Sequence, residues 1–392
     1  MEKDFGKRLA VLSVSTITIL GSTAVSPALS GIKSAFPQMS DSVIQLILTL
    51  PTLLIIPSCL LCRSAIRRMG EKRVLLMGIT IYLIGGLGAG LMPNFYLLLA
   101  MRGVLGIGCG FITPMAQNLI SSHFDGEVKV KMTSYSASAS YLMGILASFT
   151  VGRLVGIQWR LAFTIYLVAL AVLLLNAVYL PSDAPQERPA EAAGAQRYGP
   201  NVPALLTMLA MFGINGAFYT FSASISLFMR QERIGDDTTS GIVVSAFMVC
   251  GFVVGLLVPA VRRRIKGLTM ALGALMMGCG YWLLSLAGSL PSLMAAAAMV
   301  GGSYSILYSG IFTRIRAQAR GPEETTTLVT LTTAGMFLGQ ASSQYLLRGA
   351  ELLLGHSGYR FRFALLAVIL LVCAAGCVYH TCKRKKGSHA AA

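Results

Sequence analysis

Runs of mostly apolar residues recur twelve times along this 392-residue chain, near 9–33, 43–66, 73–92, 95–123, 131–156, 160–181, 201–228, 238–261, 267–288, 291–315, 325–349 and 360–381. A helix of about 20 apolar residues crosses the hydrocarbon core of a bilayer. Such runs leave little choice of fold: the chain reads as an all-α polytopic membrane protein with twelve transmembrane helices. The first run is longer than the ~7–15-residue core of a secretory signal, and the seventh is its counterpart, so it counts as a span. Charged residues make up 12% of the chain and the mean hydropathy is +0.70, whereas soluble domains carry roughly 25% charge.

The net charge of +17 could by itself point to nucleic acid. Its placement points elsewhere. Most of the Lys and Arg residues sit in short segments between spans or in the tail after the last one, as in membrane proteins that keep cationic loops on the cytoplasmic side. Examples are Arg63 to Arg73, Arg262 to Lys266, and Lys383 to Lys386. This bias places both termini in the cytoplasm of a multi-pass protein of the cytoplasmic (inner) membrane, with no nucleic-acid partner. Arg102 and Arg153 are among the exceptions, lying within spans.

A stretch rich in proline, alanine and charge, Pro181 to Pro200, falls near the middle and has linker composition. It divides the chain into a six-helix bundle (1–181), a cytoplasmic linker (182–199) and a second six-helix bundle with a basic cytoplasmic tail (200–392). The halves echo each other. Trp159-Arg160-Leu-Ala-Phe163 opens the sixth run and Tyr359-Arg360-Phe-Arg-Phe363 opens the twelfth, an offset of 200 residues. A parallel repeat of this kind builds two pseudo-symmetric bundles.

The fourth run carries a permanent charge, Arg102, followed by Gly103, Gly106, Gly108 and Gly110. A guanidinium inside a span is costly and ordinarily faces protein, and closely spaced glycines let a neighbouring backbone approach. This arginine–glycine pattern resembles motif B of the major facilitator superfamily of transporters. The loop after the second run, Arg63-Ser-Ala-Ile-Arg67-Arg68-Met-Gly70-Glu71-Lys72-Arg73, resembles that superfamily's motif A. Arg68, Gly70, Lys72 and Arg73 match; Arg63 and Arg67 stand where the pattern has glycine and aspartate. In the family that aspartate joins a charge network at the cytoplasmic face, and Glu71 is the nearest stand-in. Trp159-Arg160-x-x-Phe163 also matches a recurrent pattern of the superfamily. The fifth run keeps Gly144 and Gly152 but lacks the proline of the drug/proton antiporters' glycine–proline motif.

The resemblance implies a secondary active or facilitative transporter that works by alternating access, with Arg67, Arg68, Gly70, Lys72, Arg73, Gly106, Gly110, Trp159 and Arg160 as gating or motif positions. In such proteins spans 1, 4, 7 and 10 line the cavity, with contributions from 5, 8 and 11. The polar residues near the middle of those runs are mostly neutral, with Arg102 the charge among the candidate contacts. Gln117, Tyr141, Asn215, Tyr219, Tyr304, Tyr308 and Gln340, with Arg102, are the candidate substrate contacts, because a buried amide or phenol needs a partner. No Asp or Glu lies well inside a run, and proton-coupled transporters usually keep a titratable relay there. The expected partner is a small organic solute, in a protein that sits in lipid as a monomer and has room for a coupling ion. Direction stays open, with efflux favoured by general resemblance. Uptake of a small organic anion, with Arg102 as counter-charge, is the alternative; a transporter-like sensor and a membrane-embedded enzyme are remote ones. No cofactor, metal or disulfide is expected: Cys59-x-x-Cys62 has no second pair or histidine beside it.

Overall fold

The apolar runs fold as helices. The computed structural model describes residues 2–181, 202–265, 268–319 and 322–389; the linker expected at 182–199 lies outside them. Thirteen helices follow in order: α1 (Glu2–Thr23), α2 (Leu29–Ala35), α3 (Asp41–Met69), α4 (Glu71–Leu91), α5 (Phe95–His123), α6 (Gly126–Ile157), α7 (Val168–Tyr179), α8 (Val202–Gln231), α9 (Asp237–Ile265), α10 (Thr269–Leu286), α11 (Leu290–Gln318), α12 (Pro322–Leu354) and α13 (Tyr359–His389). No strand occurs among the described residues.

Among the described residues eleven helical stretches are long and apolar enough to cross a bilayer, and α12 is not among them. Thr325, Thr326, Thr327, Thr330, Thr332 and Thr333 lower the hydropathy of its first half, although its 33 residues extend roughly 50 Å. Two spans are not simple helices. The first is broken at Pro27, where a three-residue 3-10 turn, Ser26–Ala28, separates α1 from α2. Proline has no N–H and its ring clashes with the carbonyl four residues back. The sixth begins as a nine-residue 3-10 helix, Trp159–Leu167, before becoming α7, unusually long for a form that seldom exceeds ~3–4 residues.

The chain forms two compact units. One is built on α1 to α7, with the short stretches Ile225–Leu227 and Asp236–Ile242; the other takes the rest of α8 and α9 with α10 to α13. In the first unit α5 is the central element. A methyl group on Gly106 would lie 2.7 Å from Pro51 Cα of α3, and one on Gly108 would lie 2.7 Å from Tyr82 Cα of α4. Only hydrogen fits in either place, so α5 touches α3 and α4 backbone to backbone.

The sequence repeat reappears as a hydrogen bond. In the first unit the buried Tyr82 of α4 donates its hydroxyl to the Ile17 carbonyl of α1, 3.0 Å away. In the second unit the buried Tyr281 of α10 donates to the Ala217 carbonyl of α8. Phe163 and Phe363, the last residues of the repeated pattern, are both buried.

Candidate functional site

Arg102 is fully buried, as the cost of a guanidinium inside a span demands. Its Nε donates to the Ile47 carbonyl at 2.8 Å, Nη1 to the Tyr166 hydroxyl at 2.6 Å and Nη2 to the Gly21 carbonyl at 3.4 Å. The four groups come from α5, α3, the 3-10 segment and α1. Tyr166 also packs edge-on against Tyr82, with ring centroids 5.5 Å apart. Each of these partners is a neutral oxygen, as the lack of a carboxylate at this depth requires. The guanidinium fork joins elements of one bundle, and in this structure no face of it is open to a solute.

The other expected substrate contacts divide by exposure. In the first unit Gln117 is exposed and Tyr141 half-buried; the Arg102 hydrogen bonds go to neither. In the second unit Asn215 and Tyr219 of α8 and Gln340 of α12 are buried, while Tyr304 and Tyr308 of α11 are partly open. Here the structure brings Asn215, Gln340, Tyr304 and Tyr308 together, while Tyr219 packs against the Phe218 ring beside it. Tyr304 donates its hydroxyl to Asn215 Oδ1 at 3.0 Å, and Gln340 Nε2 donates to the same oxygen at 3.2 Å. Asn215 Nδ2 in turn donates to the Met211 carbonyl at 3.0 Å. The Asn215 amide therefore fixes one end of Tyr304.

The face of Tyr304 joins an aromatic ladder that the sequence reading did not assemble. Phe218 lies 4.3 Å from Tyr304, Tyr304 lies 5.6 Å from Tyr308, and Tyr308 lies 4.9 Å from Phe312, centroid to centroid. Tyr304, Tyr308 and Phe312 are spaced by four on α11, one residue above the next on the same helix face, a signal present in the sequence. Gln344 was also missed. It lies one turn beyond Gln340, is buried, and neither polar atom of its amide has a protein partner; the same holds for Gln340 Oε1. The first unit has its own missed amide, Asn176 of α7, which donates to the carbonyls of Val172 and Ala10.

The motif positions are placed as follows. Gly70 ends α3 and starts α4 with φ of 82°, a conformation open to glycine and costly for other residues. Its N–H caps α3 through the Ile66 carbonyl. Lys72 donates to the Leu180 carbonyl at the end of α7, 2.7 Å away, while Arg67, Arg68 and Arg73 are exposed. Glu71 accepts from Asn118 Nδ2 at 2.9 Å and from Ser122 Oγ at 3.1 Å, tying the start of α4 to the end of α5. Gly106 and Gly110 both face α3: a methyl on Gly110 would fall 2.8 Å from the Ile55 carbonyl. Arg160 lies over the Trp159 ring, 5.2 Å from its centroid.

One carboxylate is deeply buried after all. Glu351, two residues past the apolar stretch 325–349, accepts from Arg362 Nε at 2.8 Å, Arg362 Nη2 at 2.9 Å, Arg348 Nη1 at 3.3 Å and the Gly358 N–H at 3.0 Å. Burial pushes its carboxyl up, but the hydrogen bonds and charge of Arg362, with those of Gly358 and Arg348, outweigh it and hold the group below its ordinary value. Nearby in sequence, Arg360 pairs with Glu232, just past the end of α8, at 2.7 Å. Among the described residues no group of three or more His, Cys, Asp or Glu converges to hold a metal, and the seven described cysteines are free.

Comparison with known proteins gives this geometry a family. The family profile of the Major Facilitator Superfamily matches residues 11–344. An uncharacterized MFS-type transporter of Mycobacterium tuberculosis is 30% identical over 118 residues, 29% of this chain and 20% of its own length. A lincomycin resistance protein of Streptomyces lincolnensis is 28% identical over 148 residues, 37% of this chain and 30% of its own. The matched part thus spans less than a third of either relative. Among solved structures, a bacterial homolog of the human lysosomal transporter Spinster superposes with a TM-score of 0.72 at 15% identity, covering 96% of each chain. A D-xylose–proton symporter gives 0.73 at 14% identity, over 95% of this chain and 97% of its own. These likenesses show a shared fold, and with a family match that runs from α1 into α12 they establish that the chain belongs to the Major Facilitator Superfamily.

Proposed function

We propose that this protein is a secondary transporter that moves a small neutral or amphiphilic organic solute across the membrane by alternating access between its two units. The observation that carries the reading is the second unit's uncharged site: the aromatic ladder Phe218–Tyr304–Tyr308–Phe312, with Tyr304 held by Asn215, whose Oδ1 also accepts from Gln340. Aromatic faces take apolar rings and chains, and a few placed polar groups orient the ligand. Efflux is the favoured direction. The lincomycin resistance relative supports it; the missing proline of the antiporter motif in α6 argues against a standard drug antiporter. The alternative of anion uptake on Arg102 loses support, because that guanidinium is buried and spends its bonds on Ile47, Tyr166 and Gly21.

Glu71 takes the place of the absent motif A aspartate in this reading, holding the loop after α3 to α5. The protein sits in the cytoplasmic membrane as a monomer with both termini inside. The test is flux of a panel of labelled solutes in proteoliposomes, with and without a pH gradient. Neutral amphiphiles should move, Tyr308→Ala should lower their flux about tenfold, and a pH gradient should change flux little for solutes that do not titrate. Transport confined to anions, or strong proton-driven uphill movement of a non-titrating solute, would refute the reading.

A further inference from the structure

A cleft of about 420 Å³ opens at the basic end of the second unit, between α9 and α11, lined by Gly255, Val258, Pro259, Arg262, Arg263 and Ser309. The five α9 residues fall at helical spacing, so they form one stripe along one face. The stripe is graded. Gly255 at one end has no side chain, and the nearest atom to a methyl there would be Ser305 Oγ, 3.7 Å away. Val258 and Pro259 follow as apolar wall. Arg262 and Arg263 close the other end, eight residues or roughly 12 Å along.

The cationic end is set before any ligand arrives. Arg262 Nη1 donates to Thr313 Oγ1 at 2.9 Å, and that hydroxyl donates to the Ser309 carbonyl at 2.9 Å. This relay anchors one guanidinium to α11, on the rim of the cleft. No ion pair among the described residues involves Arg262, Arg263 or Arg264. Pro259 adds a further feature: with no N–H it returns no helical bond to the Gly255 carbonyl.

We propose that this cleft binds one anionic phospholipid, its phosphate on Arg262 and Arg263 and its acyl chain along Val258 and Gly255. Charge that serves only membrane orientation needs neither a cavity nor a graded wall. Here two guanidinium groups without an ion pair among the described residues meet an apolar slot, and guanidinium suits phosphate oxygens by bidentate geometry. Basic pockets between spans are a known way to hold anionic headgroups. Arg264 supplies a control: it carries the same charge on the same helix end and does not line the cleft.

The experiment is native mass spectrometry of the full chain in detergent, offered phosphatidylglycerol against phosphatidylcholine. The wild type should retain one phosphatidylglycerol with at least roughly tenfold preference. The variant Arg262→Gln/Arg263→Gln should lose that preference while Arg264→Gln stays within about twofold of wild type. Gly255→Leu, which leaves all three arginines in place and has room for its side chain, should also weaken lipid retention. Equal loss in Arg264→Gln would reduce the effect to general surface charge and overturn the site. Binding of glycerol phosphate as tight as that of the lipid would make the ligand a soluble phosphate and overturn the lipid assignment, as would unaltered retention in Gly255→Leu. Each variant is compared only after it elutes as a monodisperse species with the wild-type melting temperature.

Discussion

Arg102 shows what a single residue can disclose before a structure exists. A permanent charge among glycines had to face protein, and it does. Its partners were not legible, because Gly21, Ile47 and Tyr166 lie 81, 55 and 64 residues away in the chain, and two of them offer only backbone carbonyls, which any residue supplies. Lysine brings a point charge in place of the planar fork. We predict that Arg102→Lys and Arg102→Ala each lower transport at least roughly tenfold, about 1.4 kcal/mol. Tyr166→Phe should lower thermal stability by about 1–3 kcal/mol, since it leaves a buried donor unmet; melting in detergent checks this, and an unchanged melting temperature would remove Tyr166 from the fastening. Glu351 was legible as a span-end acid but not as a buried one, because Arg362 reaches it from the next helix. Its lowered carboxyl contributes stability in full above the ordinary glutamate range, near pH 4.3, and that contribution disappears as the pH falls through the lower folded value. Wild-type melting should therefore hold from neutrality down to about pH 5 and fall below about pH 4. Glu351→Gln should lack that acid-dependent component and be less stable at neutral pH by about 3–5 kcal/mol, the cost of leaving buried arginine unpaired.

At the scale of elements, α5 was the easiest helix to read and α12 the hardest. The glycines of α5 announced close packing, and the sequence period could not say against what; Gly106 and Gly110 turned to α3 and Gly108 to α4. A leucine at Gly106 must push α3 away, so Gly106→Leu should abolish recovery of folded protein. Gly213 of α8 has nothing within 4 Å of an added methyl, so Gly213→Ala should be neutral or stabilise by up to ~1 kcal/mol. Equal yields of the two variants would show that α5 does not need its glycines. On α12 the amides Gln340 and Gln344 sit one turn apart on one face. Only Gln340 was singled out, because a lone amide in a run suggests a ligand while the meaning of a pair depends on what α8 places opposite it. The Pro27 break and the 3-10 start of the sixth span were likewise invisible to hydropathy, which counts apolar residues and is blind to the turn they adopt.

For the whole molecule, the 200-residue offset was the most informative regularity. It rested on two aromatic–arginine patterns, and the structure adds a second layer in the paired tyrosine bonds of Tyr82 and Tyr281. Since both phenols are buried and each meets one backbone carbonyl, Tyr82→Phe and Tyr281→Phe should cost similar stability, about 1 kcal/mol each, and should add in the double variant, being in separate units. Strong non-additivity would show that the two bonds respond to one common motion. The orientation set by Lys and Arg makes a whole-molecule prediction of its own: single cysteines placed in 182–199 should label from the cytoplasmic side only, and labelling from outside intact cells would invert the topology.

The 3-10 opening of the sixth span has a mechanical consequence. Nine residues advance about 18 Å as a 3-10 helix and about 13–14 Å as an α-helix. Rewinding Trp159–Leu167 would therefore shorten the span by roughly 4–5 Å and swivel Trp159 by about half a turn relative to α7. Tyr166 lies within this segment, and its bond to Arg102 then acts as the catch on a wound spring. We predict that Tyr166→Phe releases it: spin labels at Gln158 and Leu180 should move closer by a few ångströms in that variant, and an unchanged distance would mean that the segment holds its pitch without the catch.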